Sequence, residues 1–409
     1  MHATPSIDVP MRRQASWQFV SRGVGGLCQA LLLILLARSV TPEAFGEVTV
    51  VLGVAVFVGV VADLGLSSYI VRVIAVDDDI DSARVALQIN RLSSTIFVAV
   101  GGLIYLGIAG AFSLSMWVVL VVVWVGLEKN IEAQLAVFIA EQNVVVPALS
   151  VLVRRLLPIP IYALLITAGL AGDAAFGIAI VVGASIGMAQ SSWLVRARLG
   201  STVRGVLRPI SVLKQSLPFF VTNASAQARN LDTSIVGLFA SAAAAGAFAA
   251  ASRLTVPIFL LTSAVATSVI PAVARGGVAL AQRIVFVLLC GLVASQLLVL
   301  VTLPFAEPAM ALIFGRDYDD TGYLLALVLS GTLFTSVVAP LNALTQALGG
   351  ARRSAIASSV FSGMLLFGLA TGAVIDGVVG AATAALIVQF LNAGIAFLLA
   401  QNSVKLSRH

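Results

Sequence analysis

Four basic residues, Arg22, Lys129, Arg229 and Arg253, lie inside long apolar runs rather than at their edges. A cation at the centre of a bilayer costs roughly 2.5–3.5 kcal/mol even on the most lenient insertion scale, so such residues face water, a partner or a ligand within the protein. Arginine presents a planar fork of donors that matches phosphate oxygens two at a time, and lysine adds a compact point charge. The chemistry these residues suit is the holding of an anion along a hydrated path, not the making or breaking of a bond. No glycine-rich phosphate loop, no metal-ligand spacing and no nucleophile–base pair accompanies them. The two histidines, His2 and His409, stand at the ends of the chain, so a His-ligated metal and a catalytic imidazole are not expected. No cofactor and no enzymatic activity are expected either.

The elements that must position these cations follow from composition. Hydrophobic residues make up 60% of the 409, and charged residues only 10%. Soluble domains carry about 25% charged residues. A soluble fold this apolar would expose a greasy surface, so the sequence describes an all-α polytopic membrane protein. The apolar runs are continuous and about 20 residues long without strict alternation, which suits helices and not a β-barrel. Cys28 and Cys290 sit in such runs and read as small core residues.

About twelve spans are expected, over residues 16–38, 46–71, 90–111, 116–140, 148–168, 174–194, 216–240, 244–270, 284–305, 323–347, 354–375 and 378–400. The fifth is crowded by Arg154, Arg155, Pro158 and Pro160, which predicts a kink or a late start there. Loop Lys and Arg residues fall almost entirely on one side of this arrangement. Arg72, Arg84, Arg154, Arg155, Arg196, Arg198 and Arg352 share it, against Arg38 and Arg316 on the other. By the positive-inside rule both termini are cytoplasmic. The first helix, preceded by a mostly polar stretch, interrupted by Arg22 and followed by no small-residue cleavage site before the next span, is expected to be retained rather than removed as a signal. The basic stretch 195–215 divides the chain into two lobes of six helices, residues 1–205 and 206–409, around a central cavity. A faint internal repeat agrees with this division: LLARSVTPEAFGEVTV joins the first two helices, and GLFASAAAAGAFAAAS joins the seventh and eighth. The acidic run Asp77, Asp78, Asp79 and Asp81 reads as a solvated turn.

Phase counting places polar residues on common faces. In the first helix Gln18, Arg22, Gly25 and Gln29 share a stripe. Arg22 either lines a wet face with the glutamines or snorkels to the membrane edge. In the seventh helix Asn223, Gln227, Asn230 and Ser234 share one stripe, and Ser225, Arg229 and Asp232 an adjacent one. Arg229 and Asp232 are spaced either for a self-neutralising pair or for exchange of partners at a cavity wall. Trp117, Trp124, Glu128 and Glu132 line up in the fourth helix, where Lys129 and Glu132 are three apart. Arg253 has no acidic neighbour in sequence, so an external anion or a distant carboxylate must satisfy it. Asp63 stands alone in VVADLGLSSY and either carries a coupling ion or pairs with Arg22. Thr335, Asn342 and Gln346 share a face of the tenth helix, and Gln389 and Asn392 lie in the twelfth. They suit either sugar hydroxyls or helix–helix glue. The candidate binding set is thus Arg22, Gln29, Asn223, Gln227, Arg229 and Arg253. The candidate ion-coupling set, for a proton or Na⁺, is Asp63, Glu128 and Asp232.

The pattern resembles the polysaccharide-transport branch of the multidrug/oligosaccharidyl-lipid/polysaccharide (MOP) exporter superfamily, which includes the O-antigen flippases. The resemblance lies in SRGVGGLCQALLLILLARSVTPEAFG, DLGLSSYIVR, LPFFVTNASAQARNLDTSIVGLFASAAAAGAFAAASRL and LIFGRDYDDTGYLL, and it covers most of the chain. The first of these is also similar to the arginine-bearing first helix of lipid II flippases. That branch carries two further helices, so a twelve-span count favours the polysaccharide branch. The resemblance implies a flippase in the bacterial cytoplasmic (inner) membrane. Its partner would be an undecaprenyl-pyrophosphate-linked oligosaccharide, with membrane lipids and polysaccharide assembly proteins around it and no nucleic acid. The alternatives are a MATE-type cation or drug antiporter and a membrane polysaccharide polymerase. The prominence of buried cations disfavours the first, and the short loops disfavour the second.

Overall fold

A computed structural model of the protein describes residues 11–200 and 209–406. The described residues form helices and no strand, as a bilayer demands of any backbone that must satisfy its own hydrogen bonds. In chain order the helices are α1 (Met11–Ala37), α2 (Pro42–Asp63), α3 (Leu66–Ala75), α4 (Ile80–Phe112), α5 (Val119–Ala140), α6 (Val145–Leu156), α7 (Pro158–Thr167) and α8 (Gly172–Leu199). They continue as α9 (Pro209–Gln227), α10 (Asp232–Phe239), α11 (Ala242–Leu254), α12 (Val256–Thr302), α13 (Ala306–Phe314), α14 (Gly322–Ala347) and α15 (Ala351–Leu406). The expected spans fall largely on helix, but 46–71 crosses a break at Leu64–Gly65, 216–240 crosses the 3-10 turn Ala228–Leu231 and 244–270 crosses the junction at Thr255. Seven helices among the described residues are individually long and apolar enough to cross a membrane. The fold is therefore that of an all-α, multi-pass membrane protein.

Several passes are built from broken helices. The fifth breaks between α6 and α7 at Leu157–Pro158, where the prolines predicted it. At 56 residues, α15 would be about 84 Å long if straight, far more than a bilayer of about 30 Å. It turns back at Asp376 and Gly377, whose backbones leave the helical region. The 47-residue α12 turns in the same way at Gly277.

Internal contacts divide the chain into two compact units. One comprises Met1–Gln29, Val58–Leu170 and Ala174–Ala224; the other comprises Ala30–Phe57, Ala171–Asp173 and Ser225–His409. The lobe boundary expected between residues 205 and 206 falls in segment 201–208, outside the described residues.

In the first unit α3 and α4 pack on α5. The acidic run before α4 does more than meet solvent. Asp79 caps α4, accepting hydrogen bonds from the Ser82 amide at 2.9 Å and from the Ser82 hydroxyl. These donors hold the Asp79 carboxyl below the usual carboxylate range. Asp81 pairs with Arg84 at 2.6 Å. The α2–α3 break is made by Leu64 and Gly65, both at positive φ.

In the second unit α14 packs along α12 and α15, with Val273, Val285, Leu341, Leu344, Phe397 and Ala400 in the core. Here the two turns that resemble each other in sequence meet. Thr41 caps α2 by accepting from Ala44 N at 3.3 Å, and Ser241 caps α11 by accepting from Ala244 N at 3.1 Å. A Cβ at Gly46 would lie 1.7 Å from the carbonyl oxygen of Ala242, and one at Gly246 would lie 2.2 Å from that of Pro42. The contact is reciprocal at an offset of 200 residues (242 − 42 and 246 − 46). That is the signature of a pseudo-twofold contact between repeated halves. Ser234 extends the seam by donating to Val50 O at 2.9 Å.

Gly65 offers a sharp test of the first unit. Its φ is +73°, and a Cβ there would lie 2.4 Å from the Phe220 amide nitrogen and 2.6 Å from the Ser216 carbonyl oxygen. Left-handed geometry alone costs an L-residue about 1–2 kcal/mol, and the backbone clash adds to it. Gly65→Ala is expected to lower the midpoint of thermal unfolding of the purified protein clearly. Gly107→Ala, at a site with nothing within 4 Å, is expected to leave it unchanged.

Candidate functional site

The first unit contains an open cavity of about 510 Å³. Ser21, Gly25, Gly26 and Gln29 of α1 form one wall. Gly25 and Gln29 of the stripe read from the first helix thus line a cavity, and the side chain of Gln18 lies outside the described residues. The Arg22 side chain lies outside the described residues, as does that of Arg229. The opposite walls carry Glu128 and Glu132 of α5, one helical turn apart, and Arg154 and Arg155 at the end of α6.

These charges form a buried network. Arg154 donates from Nη1 to Glu128 Oε2 and from Nε to the Ser150 carbonyl at 3.2 Å. Its side chain is 4% exposed and that of Glu128 is 8% exposed. Gly187 of α8 makes room for it: a Cβ there would lie 2.4 Å from both Cγ and Cδ of Arg154. Arg155 is held more loosely, with Nη2 at 3.8 Å from Glu128 Oε2 and the guanidinium over the Trp124 ring at 5.2 Å. Lys129 donates to Glu132 at 2.7 Å, the local pair its spacing allowed. Glu128 Oε1 is buried with no hydrogen-bond partner.

Asp63 ends α2 at 4% exposure. It accepts from Ser67 N at 3.2 Å, from the Ser67 hydroxyl and from Asn90 Nδ2 at 3.3 Å. Lys129 and Glu132 act on it electrostatically. The cavity network and Asp63 are thus one charged cluster built on α2, α5 and α6.

The remaining candidates are divided between the units. In the first, Asn223 Nδ2 lies 3.5 Å from Ser68 Oγ. In the second, Gln227 Oε1 accepts from Asn230 Nδ2, and Asp232 accepts from Thr233 N at 2.6 Å. Arg253 ends α11 with its Nε buried and unpartnered. Asp232 of α10 is a carboxylate that acts on it electrostatically. Gln29 and Glu128 share a cavity, and Asp232 and Arg253 interact.

One expectation is corrected. Arg154 and Arg155 read from sequence as loop charges on the cytoplasmic side. Arg154 is instead an interior residue that satisfies Glu128 from 26 residues away. A signal was present: Lys129 can serve only one of its acidic neighbours, which leaves Glu128 in need of another cation.

Solved structures with this architecture include the inward-facing conformation of a multidrug resistance MATE family transporter of the MOP superfamily, at TM-score 0.71 and 16% identity, covering 94% of this chain and 95% of that one. The Vibrio cholerae MATE transporter VcmN in its bent form matches at TM-score 0.57 and 17% identity, over 96% and 98% of the two chains. A MOP superfamily transporter from Pyrococcus furiosus, described as having a binding pocket of reverse polarity, matches at TM-score 0.58 and 16% identity, over 97% of each chain. No curated protein matches this chain. The fold and its family define a membrane transporter of the MOP superfamily. Residues 11–276 match the family described as polysaccharide biosynthesis protein, and the chain belongs to that family.

The Arg154–Glu128 pair makes a stability prediction. Removing one partner of a buried pair strands the other charge, at about 3–5 kcal/mol. Arg154→Ala is expected to destabilise the purified protein strongly. The double variant Arg154→Met/Glu128→Gln is expected to regain much of that loss. A double variant as unstable as the sum of its single changes would refute the coupling. Arg155→Ala, at a looser contact, is expected to change the unfolding midpoint little.

Proposed function

We propose that the chain is a flippase for a lipid-linked oligosaccharide. It would move an undecaprenyl-pyrophosphate-linked glycan from the cytoplasmic to the outer leaflet of the bacterial inner membrane, with both of its own termini in the cytoplasm. The observation that carries this reading is the cavity of the first unit, where Arg154 and Arg155 stand among the carboxylates of Glu128 and Glu132 within a polysaccharide-biosynthesis family fold. A pyrophosphate needs several cations, and Arg155, weakly held by its neighbours, is the one most readily recruited. Glu128, whose Oε1 is buried without a hydrogen-bond partner, is the carboxylate of this cavity through which a coupling ion would act. Asp63 and Asp232 are the further carboxylates through which a proton or Na⁺ would couple. Arg22, Arg229 and Arg253 complete the proposed set of cations, with Gln29, Asn223 and Gln227 as polar neighbours.

The cation or drug antiporter is the second reading, supported by the MATE fold. The cavity wall argues against it, since two arginines there balance two carboxylates. A cationic drug would meet no excess of negative charge.

The test is complementation of a strain that lacks this chain, scored by surface polysaccharide at matched protein level. Arg155→Ala and Arg22→Ala are expected to reduce surface glycan about tenfold or more, with Lys at either position restoring part of it. Normal glycan in the Ala variants of Arg22, Arg155, Arg229 and Arg253 would sink the anion-site reading. In reconstituted vesicles, flipping that persists after collapse of both proton and Na⁺ gradients would rule out ion coupling. One charge moving down 100 mV is worth about 2.3 kcal/mol, enough to drive accumulation.

A further inference from the structure

The second unit holds a cavity of its own, of about 550 Å³, within the range of about 300–1,000 Å³ typical of small-molecule sites. Its chemistry differs from that of the first. Among the described residues that line it none is a cation. Its polar wall consists of the amides of Asn230, Asn342, Gln389 and Asn392 and several hydroxyls, with the ring of Phe361 and the single carboxylate of Asp232 beside them.

The hydrogen bonds within this wall orient it toward a ligand. Thr335 and Ser362 donate to carbonyls one turn back in their own helices, at 3.2 and 2.8 Å. Their oxygens are left to accept. Asn342 Nδ2 donates to Ser358 Oγ at 3.0 Å, which fixes the plane of its amide. Gln389 and Asn392 make no side-chain hydrogen bond among the described residues, although they sit in the apolar second half of α15. Both are half-buried and line the cavity on neighbouring turns, so their donors and acceptors are available to an occupant. Gln389 also has a built seat: its Oε1 lies 2.2 Å from where a Cβ on Gly331 would stand. Helix–helix glue, the alternative for these residues, would require them to bond across helices, and among the described residues Gln389 and Asn392 make no such bond.

We propose that this cavity is a carbohydrate-binding subsite. A sugar hydroxyl both donates and accepts, and it is matched by amides, which do both, and by hydroxyl oxygens whose own protons are already committed. The ring of Phe361 supplies an apolar surface for the C–H face of a pyranose. The inference rests on the flippase reading and deepens it. The charged cavity would hold the lipid phosphate, and the neutral one would read the glycan.

The experiment uses the full-length protein in nanodiscs with two probes: undecaprenyl pyrophosphate, and the glycan-bearing lipid extracted from cells that make this chain. The wild type is expected to bind the glycan-bearing lipid at least tenfold more tightly than the bare one. Gln389→Leu/Asn392→Leu, which breaks no side-chain hydrogen bond among the described residues, is expected to remove that preference and leave binding of the bare lipid within twofold. Gly331→Ala, which displaces the Gln389 amide, is expected to act in the same direction. Arg155→Ala is expected to weaken both probes together. A preference that survives in both cavity variants overturns the subsite and leaves the flippase reading standing. Tight binding of ethidium that Asp232→Asn abolishes, with no glycan preference in the wild type, overturns it in favour of a cation site. Failure of the wild type to bind either lipid overturns the flippase reading, and the subsite with it.

Discussion

A bilayer has no water to lend to a buried charge, and the interior of the first unit is organised around that fact. Arg154 and Glu128 are both nearly inaccessible, and each is tolerable only because the other is there. Much nearby geometry serves this pair. The absence of a side chain at Gly187 makes space for the arginine stem. The end of α6 aims the arginine inward before the chain breaks at Pro158, and the Ser150 carbonyl takes its Nε. Lys129 is spent on Glu132, so the two charge pairs do not compete. One oxygen of Glu128 stays without a hydrogen-bond partner and Arg155 is loosely held, and both residues lie on the cavity wall. The structural pair thus generates the chemically open positions beside it.

The sequence made the architecture legible where a single segment carries the signal. Span length and apolarity located the passes, and Pro158 with Pro160 marked the break in the fifth. Gly277 and the Asp376–Gly377 turn gave weaker signals, because one glycine in an apolar run is also compatible with a continuous helix. The site divides in the same way. Lys129 and Glu132 are three apart, and a phase count finds them. Glu128 and Arg154 belong to different helices, and no periodicity within one helix can join them. Arg154 and Arg155 were placed among loop charges for this reason: their sequence context is polar and proline-rich, and only packing against α5 and α8 makes Arg154 interior.

The neutral residues show the same limit from the other side. Stripes of amide and hydroxyl residues were visible in α14 and α15 individually. Their convergence on one space with α10 and α12 was not, because that depends on the turn at Asp376–Gly377 returning the second half of α15 to α14. The two cavities also differ in a way that composition averages away. One is built from opposed charges, the other from uncharged groups with a lone carboxylate.

The contact between Gly46 and Gly246 has a mechanical meaning. At an ordinary helix crossing, interdigitated side chains must disengage and find new rotamers before the helices can part. Here backbone rests directly on backbone, and each glycine meets the carbonyl of the other turn. Such a joint has no knobs to withdraw from holes. It behaves as a press-fit made of two copies of the same part, able to open and reseat with little rearrangement of either face. Each copy supplies a glycine to the other's carbonyl, so a side chain added at either glycine meets backbone that cannot fold aside and holds the joint open. The repeat thus acts here as a fastener whose two parts fit because each has the shape of the other.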